Sequence, residues 1–187
     1  MKKLDYYLQN VRIGKAVHFI KPGDSILDIG SGEAPLFLYL NNNGVKFKGV
    51  GFDPDVKEVI RAENYTIYNE MFPNDSIGGT RFNIITALAV LEHIPKEQLE
   101  NFVENCYRHL APGGLMVLTV PSKEVDFILK ILISCRILHG MEVGQHYGYD
   151  TGGTIPLFAA KGFELVKHRK FQFGLNNLFV FRKKVQG

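Results

Sequence analysis

The chain has 187 residues, enough for one domain with a single core and too few for two of ordinary size. Charged residues make up 22% and apolar residues 45%, a soluble globular profile that excludes collagen-like, disordered and membrane-spanning classes. Twenty-two Lys and Arg against nineteen Asp and Glu leave a net charge of +3, too small to indicate a nucleic-acid partner, although residues 161–187 hold seven basic side chains and one acid.

An amphipathic segment over 4–20 precedes the first strand. Short apolar runs at 25–29, 47–52, 65–68, 82–87 and 115–120 then alternate with helical periodicities, the pattern of a parallel α/β sheet. The clearest helix spans 96–110: Leu99, Phe102, Val103, Cys106 and Leu110 form one stripe, Pro95 stands at its start, and Pro112-Gly113-Gly114 stops it. Beyond Val120 the pattern changes to a helix over 123–138, a Gly-rich stretch, a helical turn ending at Gly162, and two strands around Gly174-Leu175-Asn176-Asn177 that read as an antiparallel hairpin. The whole is expected to be one domain over 1–187.

Cys106 and Cys135 lie in apolar helical patterns without metal-ligand spacing, so neither a disulfide framework nor a zinc site is indicated. The start, MKKLDYYLQN, has Asp5, Gln9 and Asn10 where a signal peptide needs its apolar run, and no stretch reaches the ~20 apolar residues that span a bilayer. A cytoplasmic protein is the expectation, in which the sequons at Asn64 and Asn74 go unused.

The segment SILDIGSGEAPLF is a strand, a turn with Gly30 and Gly32, and a helix opening near Ala34-Pro35, a geometry suited to a nucleotide-sized ligand. A dinucleotide fingerprint needs its third glycine where Pro35 stands. Asp28 and Glu33 flank the glycines, and two carboxylates repel a pyrophosphate while attracting a cofactor with an ammonium and a sulfonium. Asp53 closes the strand FKGVGFD twenty-one residues beyond Gly32, where a carboxylate can accept both ribose hydroxyls; as a lone residue before Pro54 it could equally be a helix N-cap.

LDIGSG, GVGFDPD, FNIITALAVLEHI and HLAPGGLMVLTVP, in that order, resemble the successive motifs of the class I S-adenosylmethionine-dependent methyltransferases of small-molecule type, among them the ubiquinone and menaquinone biosynthesis enzymes; the likeness covers roughly residues 20–122. The resemblance implies a Rossmann-like three-layer α/β sandwich with a seven-stranded, mostly parallel sheet in the order 3-2-1-4-5-7-6, strand 7 antiparallel. It implies S-adenosyl-L-methionine as cofactor. Asp28 would hold the methionine ammonium and the backbone of Gly30, Ser31 and Gly32 would line the methionine. Asp53 and the following Pro54 would take the ribose, Glu70 the adenine amine, Met71 the ring face, and Leu88 the methionine end. It also makes 121–162 a variable, substrate-side segment.

Three departures stand out. Ala34 replaces the usual third glycine and Asn83 an Asp of structural value. Ala89 in A-V-L-E-H removes the first carboxylate of an E-x-x-E-H metal trio, leaving Glu92 and His93, so no metal is expected. The resulting expectation is transfer of a methyl group to the oxygen, nitrogen or carbon of a small or lipid-linked acceptor; the alternative is a methyltransferase-fold partner subunit without catalysis of its own. His146 is the first candidate for a catalytic base and His93 the second, each against a structural reading. The apolar segment 127–138, with Lys130 and Arg136, reads as a buried helix or homodimer contact, or as a lid or peripheral membrane contact. The basic end reads as a solvated strand, or as a patch for an anionic ligand.

Overall fold

The computed structural model describes residues 3–122 and 149–184, with the side chains of residues 3–5 left aside. Helix α1 (Lys3–Ala16) leads through a 3-10 turn (Val17–Phe19) to β1 (Ser25–Ile29), α2 (Pro35–Asn42) and β2 (Lys48–Phe52). Then come β3 (Ile60–Arg61), β4 (Tyr65–Tyr68), β5 (Phe82–Leu88), α3 (Leu99–His109) and β6 (Leu110–Pro121), and after 149 α4 (Thr154–Ala160), β7 (Phe163–Phe171) and β8 (Asn176–Lys183). The strands make one sheet in the order β3-β4-β2-β1-β5-β6-β8-β7. β4, β2, β1, β5 and β6 run parallel, while β8 lies antiparallel between β6 and β7. The expected seven-strand order is therefore present, with one addition: two-residue β3, antiparallel on the outer side of β4.

Both faces of the sheet are covered, which is why its central strands read as unbroken apolar runs. On one face α1 and α2 pack Ile13, Ala16, Leu36, Phe37 and Leu40 over Ile26, Ile67, Ile84 and Val117. On the other, α3 and α4 pack Phe102, Val103, Cys106 and Phe158 over Leu27, Ile85, Met116 and Phe181. Each fully buried aromatic or aliphatic side chain contributes on the order of 2 kcal/mol to this sandwich.

Two of the boundaries that differ from the sequence reading lie around β6 and β8. Strand pairing resumes at Leu110, opposite Phe82, immediately after α3, and Pro112-Gly113-Gly114 sits inside β6 at a register shift between Phe82 and Ile84. Gly113 has φ +74, so these residues form a bulge, not the helix stop. The hairpin turn is 172–175, whereas Asn176 and Asn177 belong to β8. Their turn propensity is overridden because β6 offers a pairing edge and both amides find partners: Asn177 Nδ2 donates to the buried Ser122 Oγ (2.9 Å) and Asn176 Nδ2 to the half-buried Gln172 Oε1 (2.6 Å). Within the basic end, Lys183 is no solvated residue. Its Nζ donates to the carbonyls of Tyr107 (2.6 Å) and Leu110 (2.8 Å), the groups the C-terminus of α3 leaves open. Asn83, in place of an Asp, ties β5 to β1: its Oδ1 accepts from Ser25 N (3.0 Å) and Ser25 Oγ (2.9 Å).

Candidate functional site

The parallel strands end on one edge, and the turn after β1 sits at its middle. Gly30 has φ +73, and a Cβ there would lie 2.5 Å from Val90 Cγ2, so conformation and space both demand glycine. The amides of Gly30 and Ser31 donate to the Phe52 carbonyl (2.9 and 3.2 Å), drawing the loop onto β2. Ser31 is buried against Gly51, where a Cβ would stand 2.6 Å from Ser31 Oγ. Ala34 takes the left-handed conformation, φ 66 and ψ 33, at a cost of about 1 kcal/mol, and Pro35 opens α2 with its ring in the first turn.

Two carboxylates bracket this turn. Asp53 Oδ2 accepts from Gly32 N (2.7 Å) and Oδ1 from Asp55 N (2.9 Å). The local turn and the long-range tie to the glycine loop thus coexist, and each oxygen keeps a lone pair for a further donor. Asp28, at the end of β1, is buried and accepts a 2.6 Å hydrogen bond from Thr86 Oγ1. Burial, with the charge of Asp53 adding, pushes its carboxyl up to about 7 against the opposing effect of the Thr86 hydroxyl.

Around the turn the edge opens into a trough. A cavity of about 190 Å³ is lined by Gln9, Arg12, Ile13, Asp28, Gly30 and Leu88. A second, of about 280 Å³, shares Gly30 and adds Asp53, Pro54, Met71, Phe72, Val90 and His93. Gly32, Glu33 and Tyr6 border a shallower extension on the α1–α2 side of Asp53. Nine of the residues singled out in sequence, Asp28, Gly30, Ser31, Gly32, Asp53, Pro54, Met71, Leu88 and His93, therefore line or buttress this trough. Met71 is 67% exposed, an apolar side chain at the wall of an apolar slot. Glu70, beside Met71, accepts from Ser76 Oγ at 2.9 Å. His93 is exposed and shares its cavity with Asp53 and Met71. His146, Cys135 and the segment 127–138 lie outside the described residues. Tyr149, three residues after His146, is half-buried with its hydroxyl 2.9 Å from Thr154 Oγ1; burial raises its pKa against the opposing effect of that hydrogen bond, and the Glu92 and Asp150 charges add to the rise. Ala89 has φ 61, and among the described residues no three His, Cys, Asp or Glu side chains gather as metal ligands.

Arg12, Gln9 and Ile13 were not legible as site residues. They share one face of α1 at spacings of three and four, which was visible, but only the packing of α1 over the edge brings that face to Asp28. The set fits a cofactor with opposite charges at one end and a nucleoside at the other: a buried carboxylate and a guanidinium flank the first cavity, and a loop-anchored carboxylate and an apolar slot make the second.

A family model described as a methyltransferase domain matches residues 5–168. A ubiquinone biosynthesis O-methyltransferase of Psychrobacter arcticus is 23% identical over 161 residues, covering 77% of this chain and 62% of that protein. Sphingolipid C9-methyltransferase 1 of Gibberella zeae is 28% identical over 152 residues, covering 71% of this chain and 29% of its own length. The chain thus spans about three-fifths or less of these relatives. The crystal structure of a TehB-like S-adenosylmethionine-dependent methyltransferase from Corynebacterium glutamicum superposes with a TM-score of 0.65 at 19% identity, covering 92% of this chain and 87% of that one.

Proposed function

This chain belongs to the class I S-adenosylmethionine-dependent methyltransferases, and on that premise we propose that it moves a methyl group from S-adenosylmethionine to an acceptor with an apolar body and one nucleophilic hydroxyl, amine or carbon. The observation that carries the reading is the pair of carboxylates at the two ends of one trough, Asp28 buried beside Gly30 and Asp53 on the Gly32 amide. When bound, S-adenosylmethionine would supply a methyl group on a sulfonium, whose neutral thioether product, S-adenosylhomocysteine, is a good leaving group.

Asp28 would hold the methionine ammonium and Arg12 its carboxylate, a charge-assisted pairing at each pole. Asp53 keeps lone pairs for the ribose hydroxyls, while Pro54, Met71 and Phe72 give the adenine ring apolar contact. Glu70 is the remaining candidate for the adenine amine. Leu88 and the backbone of Gly30 to Gly32 then fix the methionine end, so that the chain's main contribution is position and exclusion of water. A neutral hydroxyl acceptor also needs a proton acceptor; His146 is the first candidate and His93 the second. Within the variable stretch 121–162, the part before α4 is our candidate for the acceptor wall, because Pro121 delivers the chain to the sheet's ligand edge, whereas α4 packs Phe158 into the core. Relatives named for ubiquinone biosynthesis and for sphingolipid methylation support an apolar acceptor.

Calorimetric titration with S-adenosylhomocysteine and with NADH tests the cofactor, and transfer of labelled methyl into an alkyl catechol, a long-chain amine and a sugar tests the acceptor. Binding of S-adenosylhomocysteine alone, with label in the solvent-extractable product, is expected. Binding of NADH instead would sink the reading, and S-adenosylhomocysteine binding with no transfer into fractionated host metabolites or lipids would favour a non-catalytic subunit.

A further inference from the structure

The β7–β8 hairpin carries charge and an aromatic ring for which the cofactor trough has no use. No acidic residue follows Glu164, and Lys167, Arg169, Lys170, Arg182 and Lys184 are all exposed. At the turn, Phe173 is fully exposed, whereas every other described phenylalanine is buried or half-buried.

This exposure is built. Gln172 and Phe173 both take left-handed backbone, φ 51 and 57, followed by Gly174 at φ 87. The turn is closed by Gly174 N to the Phe171 carbonyl and Leu175 N to the Gln172 carbonyl, each 3.1 Å. It is tied to the end of β6 by Ser122 N to the Leu175 carbonyl (2.8 Å) and Ser122 Oγ to the Gly174 carbonyl (2.6 Å). The backbone that presents the ring is therefore fixed from two sides. On the strand leading to it, Leu165 and Val166, between Glu164 and Lys167, are 38% and 42% exposed.

We propose that this hairpin docks the protein on an anionic lipid bilayer, with Phe173 entering the interface and Arg169 and Lys170 against lipid phosphates. An aromatic ring projecting from a turn and flanked by long cationic side chains matches the apolar-then-charged layering of a bilayer surface. A nucleic acid would ask for successive rings along a positive groove, and here the strand rings next to Phe173, Phe171 and Phe179, are buried in the core. Pairing of two copies through the β7 edge, with the two-fold axis at the middle of the cationic run, would bring Lys167 opposite Arg169 or Lys170, a like-charge contact. The turn leaves the same sheet edge as the trough, over β8 and β7, two to three strands or about 9 to 14 Å from Leu88. Docking would thus set the acceptor side of the molecule toward the lipid, the useful orientation for the acceptor proposed above; the docking itself does not depend on that reading.

The chain has no tryptophan, so Phe173→Trp makes the turn its own fluorescent reporter. Vesicles of phosphatidylcholine mixed with phosphatidylglycerol should shift the emission of this variant to the blue, and vesicles of phosphatidylcholine alone should not. In sedimentation with the mixed vesicles, wild type should be carried down at low salt and released at high salt. Phe173→Ser and the double change Arg169→Glu with Lys170→Glu should each weaken binding by roughly tenfold, while S-adenosylhomocysteine affinity, read on the same samples, stays that of wild type. An unshifted emission, or variants that sediment as wild type does, would overturn the proposal. So would single-stranded RNA competing the protein off vesicles through the same residues, or a dimer in size exclusion that Phe173→Ser dissociates.

Discussion

Replacing Asp28 with Asn should separate the two energies that this carboxyl now couples, the stability of the empty fold and the affinity for the cofactor. Burial has lifted Asp28 from 3.8 to about 7. Between those values the native state keeps a proton that the unfolded chain has released, so stability falls as pH rises from about 4 to about 7, by at most roughly 4 kcal/mol, and stays lowered above that. Asn cannot ionise and can still accept from Thr86 Oγ1, so ligand-free Asp28→Asn should melt higher than wild type at pH 8 and near wild type at pH 5. Cofactor binding runs the other way. The methionine ammonium selects the ionised carboxyl, so wild-type affinity for S-adenosylhomocysteine should rise about tenfold, roughly 1.4 kcal/mol, from pH 6 to pH 8. In Asp28→Asn that slope should vanish, and at pH 8 the affinity should lie about 1 to 3 kcal/mol below wild type, the scale of a lost charge-assisted hydrogen bond. Calorimetry across this range, with thermal melts of the empty protein, reads both quantities. Equal wild-type affinity at pH 6 and pH 8, or a variant that keeps the wild-type slope, would refute the assignment of Asp28 to the ammonium.

Gly30→Ala must place a Cβ 2.5 Å from Val90 Cγ2 at a φ of +73; a loss of roughly 2 to 4 kcal/mol in denaturant unfolding is expected, and an unchanged midpoint would show that the turn can move. Arg12→Ala should weaken S-adenosylhomocysteine binding by on the order of tenfold in calorimetry, since Arg12 lines the cavity it shares with Asp28; unchanged affinity would remove Arg12 from the site. His146→Ala should lower turnover by roughly 10² to 10⁴ with cofactor affinity intact; near-normal turnover would pass the role of base to His93 or remove it. Activity should be indifferent to chelators because Ala89 lacks the carboxylate that would complete a metal trio, and loss of activity restored by magnesium would contradict this.

The five parallel strands β1, β2, β4, β5 and β6 were legible because a sheet buried on both faces writes itself as continuous apolar runs, and because Gly30, Gly32, Asp28 and Asp53 carry their chemistry at short, fixed distances from strand ends; two-residue β3 was too short to leave such a run. Other features were not, for reasons that can be stated residue by residue. Arg12 and Gln9 show only as one face of an amphipathic helix, since periodicity says which residues share a face and not which cavity the face covers. Asn176 and Asn177 carry turn propensity, yet they lie in β8 because β6 supplies the pairing edge and Ser122 and Gln172 the amide partners. Ala34, Ala89, Gln172 and Phe173 occupy left-handed backbone that local preference disfavours, held there by contacts made across the fold. The residue types and their spacing along the chain thus determined what kinds of group stand at the sheet's edge. Only the tertiary structure decided that Asp28 is buried against Thr86, 58 positions away in sequence, and so titrates near neutrality, because desolvation belongs to the assembled core and to no local stretch of chain.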